Sequence, residues 1–190
     1  MKFPIVSFAI ILTLSLDALN AVYAGSATWN LNPNSGDWNT AENWTPNTVP
    51  NGPADVATFG TSTVTDLSVS EAMTEVAAIV FNPGASSFNI TSDPKSNKTT
   101  STLTISGAGI VNNSGVTQNL AAVTEIGKFG LIYFVNGASA GDGTTVTASG
   151  AITEGLYAGA SIYFLDTSTC GTANIIIGGA QGKGFRRDRV

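Results

Sequence analysis

The chain of 190 residues has no histidine, one cysteine and only 11% charged residues. Without histidine there is no Ser-His-Asp or Cys-His catalysis, no imidazole acid or base and no His ligand for a metal. A single cysteine excludes a disulfide framework and a thiolate zinc site. Eight Lys and Arg against thirteen Asp and Glu leave a net charge of −5. Such a surface is a poor electrostatic partner for nucleic acid or anionic lipid. The polar positions are filled instead by Ser, Thr and Asn, roughly three residues in ten. These residues suit exposed strands and turns better than helix.

The first residues read as an address. Lys2 precedes a mostly apolar stretch from Phe3 to Leu16. Val22-Tyr23-Ala24 then places small residues at the first and third positions before a cut, which predicts a secretory signal cleaved after Ala24. An uncleaved anchor is the alternative. The run is short for a spanning helix, and Asp17 interrupts its end. No later stretch is long and apolar enough to span, so the mature chain is expected to be extracellular or on the cell surface, with no membrane span after cleavage.

Residues 25–60 hold all three tryptophans (Trp29, Trp38, Trp44) and four of the seven prolines. Proline and glycine interrupt this segment too often for a long helix. It reads as a cap of short strands and tight turns pinned by aromatics. From residue 61 to 180 short period-two strands alternate with turn signals such as Asn82-Pro83-Gly84 and Asn112-Asn113-Ser114-Gly115. Ser70 to Ala78 competes as a helical turn or two, with Ser70 as its cap. Residues 181–190 form a basic tail, with three of the eight Lys and Arg in the last five positions.

The most informative feature is an internal repeat. Ile132-Tyr133-Phe134-Val135-Asn136 recurs 30 residues later as Ile162-Tyr163-Phe164-Leu165-Asp166. The copies cover 128–150 and 158–180; at this offset Val146 aligns with Ile176 and Gly150 with Ala180. One such unit cannot bury its own apolar face, so copies must stack. Side-chain alternation puts Ile132, Phe134, Ile162 and Phe164 inside, with Tyr133 and Tyr163 outside. The expected fold is all-β: a parallel β-helix of five to seven turns with a Trp-rich N-terminal cap. A β-sandwich uses similar strands and turns and is the alternative.

Trp38-Asn39-Thr40-Ala41-Glu42-Asn43-Trp44, Val49-Pro50 and Ala54-Asp55-Val56-Ala57-Thr58-Phe59 together resemble the opening of exported bacterial proteins with autotransporter-associated β-strand repeats. Ala78-Ile79-Val80-Phe81 and Gly109-Ile110-Val111-Asn112-Asn113-Ser114-Gly115 are similar to their later strands. The resemblance implies a parallel β-helix, export and a surface or adhesive role without catalysis. Proteins of that kind are usually much longer, and a natural, a truncated and a frame-shifted end, the chain then being an N-terminal piece of a longer passenger, all stay open.

Candidate chemistry is sparse. Trp38 and Trp44 offer flat faces for stacking on sugar rings, which would make a carbohydrate-binding module; the competing role is to cover the open end of the solenoid. Asp142, Glu154 and Asp166 are the carboxylates that a glycan-degrading enzyme would pair, but nothing in their spacing brings them together. Gly141-Asp142-Gly143 lacks the full frame of a calcium-binding repeat, so no metal and no cofactor is expected. Asn43, Asn89, Asn97 and Asn112 stand in Asn-x-Ser/Thr frames that this composition produces by chance. Cys170 has no charged neighbour to activate it and reads as a small hydrophobe. The expected partners are a glycan or surface component and, through an uncapped last coil, a further copy of the chain.

Overall fold

A computed structural model describes residues 25–95, 98–151 and 159–179. The expected leader 1–24 and tail 181–190 lie outside the described residues. Among the described residues there are thirteen strands: β1 (Ala27–Trp29), β2 (Trp44–Thr45), β3 (Gly52–Phe59), β4 (Asp66–Val69), β5 (Thr74–Phe81), β6 (Asn89–Ser92), β7 (Thr100–Asn112), β8 (Gln118–Ala122), β9 (Thr124–Glu125), β10 (Lys128–Phe134), β11 (Thr144–Ala148), β12 (Ser161–Phe164) and β13 (Asn174–Ile177). They build a β-solenoid of about five turns, a stack roughly 24 Å tall at the usual strand spacing.

One sheet runs β12-β10-β7-β5-β3-β1-β2, with β9 beside β10; the other runs β13-β11-β8-β6-β4. All neighbours pair in parallel except β1 with β2 and β9 with β10. Parallel pairing between successive coils rules out the sandwich.

The sequence dictates a corner within the long sheet. In β5 the buried positions are Thr74, Val76 and Ala78, and then the phase changes to Ile79 and Phe81. In β7 they run Ser101, Leu103 and Ile105 before the phase shifts to Ile110. At the same level Ala77 alone stands opposite three residues of β3 and three of β7. The sheet therefore folds over two faces, and β4, β6, β8, β11 and β13 form the third. Each turn of chain crosses three flat faces and three corners. Coil spacing varies from 22 residues (Phe59 to Phe81) to 31 (Phe81 to Asn112), because the corners take up insertions while the faces keep register.

The interior is a set of ladders. Leu67, Ile90, Leu120, Val146 and Ile175 lie in line on the third face. Phe59 stacks on Phe81 at 5.2 Å, and Phe134 on Phe164 at 4.8 Å and 8°. Ile132 and Phe134 are buried, whereas Tyr163 is exposed and stacks on Tyr133 outside at 4.6 Å. The alternation read from the repeat is the one found.

Three local expectations are corrected. Ser70 to Ala78 forms no helix: β5 starts at Thr74, because Thr74, Val76 and Ala78 alternate inward with period two. The repeat slips by one residue on the third face, where Val146 pairs with Ile175 rather than Ile176. The turn from Gly141 to Thr145 is one residue longer than its copy from Gly171 to Asn174. Ala180, the expected partner of Gly150, lies outside the described residues. Finally, β3 falls in the segment expected as cap yet is a full member of the long sheet.

Candidate functional site

The N-terminal end is built from the tryptophans. β1 adds a last parallel strand to β3, the chain crosses the third face where Asp37 bridges Ser68, and β2 returns antiparallel along β1. Trp29, Trp38 and Trp44 meet edge to face, with centroids at 5.0 Å (Trp29 and Trp44) and 4.9 Å (Trp38 and Trp44). Phe59 lies beneath all three. Every indole N–H donates to a backbone carbonyl: Trp29 to Val64 at 3.1 Å, Trp38 to Pro50 at 3.1 Å and Trp44 to Trp38 at 2.7 Å.

Trp38 and Trp44 are both 0% exposed. A sugar ring needs an open aromatic face, and neither indole has one. Their placement corrects the stacking-platform expectation: both rings close the end of the stack.

Asn43, a residue that composition and pattern did not single out for this role, ties the cap together. It is fully buried. Its Oδ1 accepts from the backbone N–H of Asn34 at 2.9 Å and of Ser35 at 3.2 Å. Its Nδ2 donates to Asp37 O at 2.8 Å and Ser35 Oγ at 3.0 Å. Removing the amide breaks all four hydrogen bonds, each worth about 0.5–1.5 kcal/mol net. Asn43→Ala is thus expected to lower stability by at least about 2 kcal/mol in urea unfolding.

The three carboxylates weighed for catalysis are not assembled. Asp166 occupies the corner after β12, where its Oδ2 accepts from Asn136 N–H at 3.1 Å. Asp142 lies in the turn before β11, where its Oδ1 accepts from Thr172 Oγ1. A whole face separates these two corners. Glu154 lies outside the described residues. The Asp166 contact belongs to a corner ladder: Asn136 Nδ2 donates to Ser106 O at 2.9 Å, and Asn136 and Asp166 both take φ of +56°. The 30-residue offset between Asn136 and Asp166 was the sequence signal for it.

Other candidates resolve as scaffold. Asn89 Nδ2 donates to Asp66 at 2.7 Å, and Asn112 Nδ2 donates to Val116 O and Gly143 O at 2.9 Å. Asn97 lies outside the described residues. Cys170 occupies the coil position of the buried Ala140, yet it is exposed. Among the described residues no three His, Cys, Asp or Glu side chains gather as a metal-holding group.

What the fold does offer is surface. On the third face, the outward ladder Asp66, Asn89, Asn119, Thr145, Asn174 runs beside Ser68, Thr91, Ala121, Thr147, Ile176. Near the cap this face dips into an open groove of about 420 Å³, lined in part by Asp37, Asp66, Asp93 and Lys95. Ser68 Oγ and Asp93 Oδ1 beside it are buried without a hydrogen-bond partner among the described residues.

No family model matches the chain, and neither a curated protein nor a solved structure matches it. Fold and surface together define a capped parallel β-solenoid.

Proposed function

We propose that this protein is an exported structural or adhesive β-solenoid, acting at the cell surface or in the extracellular space by contact rather than by catalysis. The observation that carries the reading is the pair of outward ladders on the third face. They place one outward side chain per coil along five strands, mostly amides and hydroxyls (Asn89, Asn119, Thr145 and Asn174; Ser68, Thr91 and Thr147), with Asp66 the one charge and Ala121 and Ile176 apolar. A rigid, flat surface of this kind suits contact with another repetitive partner, such as a surface glycan. The secretory pattern ending at Ala24 supports the address. The proposed opening motif, Trp38 to Trp44 with Val49-Pro50, supplies the cap that a free-standing stack needs.

Two measurements test this. The protein recovered from extracellular and envelope fractions of its host is expected to begin at Gly25 by mass and N-terminal sequencing; a product that keeps Met1 and stays in the cytosol would sink the export reading. Adhesion to glycan-coated surfaces is expected to fall at least tenfold in the double variant Asn119→Lys, Thr145→Lys, with circular dichroism unchanged. Polysaccharide cleavage by the purified protein, lost in Asp142→Asn or Asp166→Asn, would revive the enzyme reading.

A further inference from the structure

Three carboxylates gather around Ser68 on the third face, and the strand register places each of them. Asp37 bridges Ser68 from the coil below, and Asp66 stands two residues before it on β4. Thr91 pairs with Ser68 from the coil above. Asp93 follows Thr91 by two residues, and its N–H donates to Val69 O at 3.0 Å, so it continues the same ladder. These side chains, with Lys95, line the open groove of about 420 Å³ beside the cap.

Neighbours fix two of the carboxylates. Asp37 accepts from Asn39 N–H at 3.3 Å and from Thr40 Oγ1 at 2.7 Å, and Asp66 Oδ1 accepts from Asn89 Nδ2 at 2.7 Å. The ion pairs among the described residues are Lys98 with Glu71 and Lys128 with Glu125, so none of the three carboxylates has a cationic partner there. Against them stands the single ammonium of Lys95, which leaves the groove two negative charges in excess. Ser68 Oγ and Asp93 Oδ1 are buried and have no hydrogen-bond partner among the described residues. Such atoms are uncommon in a folded chain and mark a place short of donors.

We propose that this groove seats a sugar ring bearing a free amino group, one unit of an amino-sugar polymer. The proposal rests on the surface-glycan reading above and narrows it to a class of glycan. The excess of carboxylate favours a cation, because an ammonium donating to a carboxylate makes a charge-assisted bond stronger than that of a neutral hydroxyl. The carboxylates are too dispersed for a metal ion: no three acidic, His or Cys side chains among the described residues gather as a metal-holding group. A ligand with several donors spread over one ring spans them instead. An amino sugar carries hydroxyls beside its ammonium, so one ring donates to more than one carboxylate, while Thr91 and Lys95 donate to its oxygens. The volume lies in the ordinary range of small-ligand sites. The groove opens onto the two outward ladders, which run from Asp66 and Ser68 through Asn89 and Thr91 to Asn119 and Ala121. Further rings of a polymer would lie along these uncharged side chains.

A chitosan hexamer of β-linked glucosamine and its fully N-acetylated counterpart share a backbone and differ in charge. Calorimetric titration of the purified protein, in mildly acidic buffer that keeps the amines charged, is expected to show at least tenfold tighter binding of the glucosamine hexamer. Asp66→Asn and Asp93→Asn are each expected to weaken that binding at least fivefold with circular dichroism unchanged. Glu42→Gln, the same loss of charge at an exposed position of the cap, is expected to change it less than twofold. Equal binding of the two hexamers, or an effect of Glu42→Gln as large as those of the Asp variants, overturns the proposal and leaves the wider glycan reading standing. Absence of binding by both hexamers overturns it too, and the adhesion assay with Asn119→Lys, Thr145→Lys then judges the wider reading on its own. A lysine hexapeptide that binds as tightly as the glucosamine hexamer, with the same dependence on Asp66 and Asp93, assigns the groove to basic peptides and overturns the amino-sugar proposal.

Discussion

Trp44→Ala is expected to lower unfolding stability by about 3–5 kcal/mol, the range for truncating a fully buried aromatic side chain. The indole contacts Trp29, Trp38 and Phe59 and donates to Trp38 O at 2.7 Å. Its loss removes the centre of a four-ring cluster, and the neighbouring β1 is held on both sides, by β2 and by β3, so its backbone is not free to collapse into the space. Trp44→Phe keeps part of the packing and loses the N–H donor, so it is expected to cost less, about 1–3 kcal/mol. Urea unfolding followed by circular dichroism measures both. A Trp44→Ala protein as stable as the parent would mean that the indole does not sit in this cluster.

The second large effect is expected at Gly109. Its φ is +88°, and an added Cβ would come within 2.1 Å of Ser139 O and 2.4 Å of Ser139 N. Both are backbone atoms of the next coil, held by the Gly109–Ser139 bridge, so neither can rotate aside. Gly109→Ala therefore forces adjacent coils apart. Gly84 is the control: φ is +75°, but nothing lies within 4 Å of its Cβ position. Gly84→Ala is expected to cost about 1–2 kcal/mol, the penalty for a left-handed residue alone. Gly109→Ala is expected to exceed that by at least about 2 kcal/mol, in the class of overpacking changes. Equal losses at the two positions would show that the inter-coil contact at Gly109 contributes nothing.

These two sites show what the chain makes legible. The coils were readable because solenoid packing is local: Ile132 and Phe134 face inward for the same period-two reason as Ile162 and Phe164, and the copies pair in register. Where turns differ in length the repeat offset changes, as at Val146, because a side chain's face follows from a turn's residue count. β5 was harder. Ser70 to Ala78 carries good helix formers, but β-ladders on both sides override that local preference. The cap was visible as a cluster of tryptophans, yet its inside and outside were not. A tryptophan on a sugar-binding face and one plugging a core look alike in sequence; the difference lies in whether Pro50 and Trp38 offer their carbonyls to the indoles. Asn43 was invisible for the same reason: its four partners converge only once the loop from Asn34 to Asp37 is folded around it.

The separation of ring types along the stack has an optical consequence. All three tryptophans lie in the cap, while Tyr133 and Tyr163 stack in the last two described coils. Indole emission therefore reports on one pole of the molecule and phenol absorbance largely on the other. In a stack where each coil touches only its neighbours, unravelling can start at either pole. The order in which the two signals change on denaturation then gives the direction in which the coil comes apart.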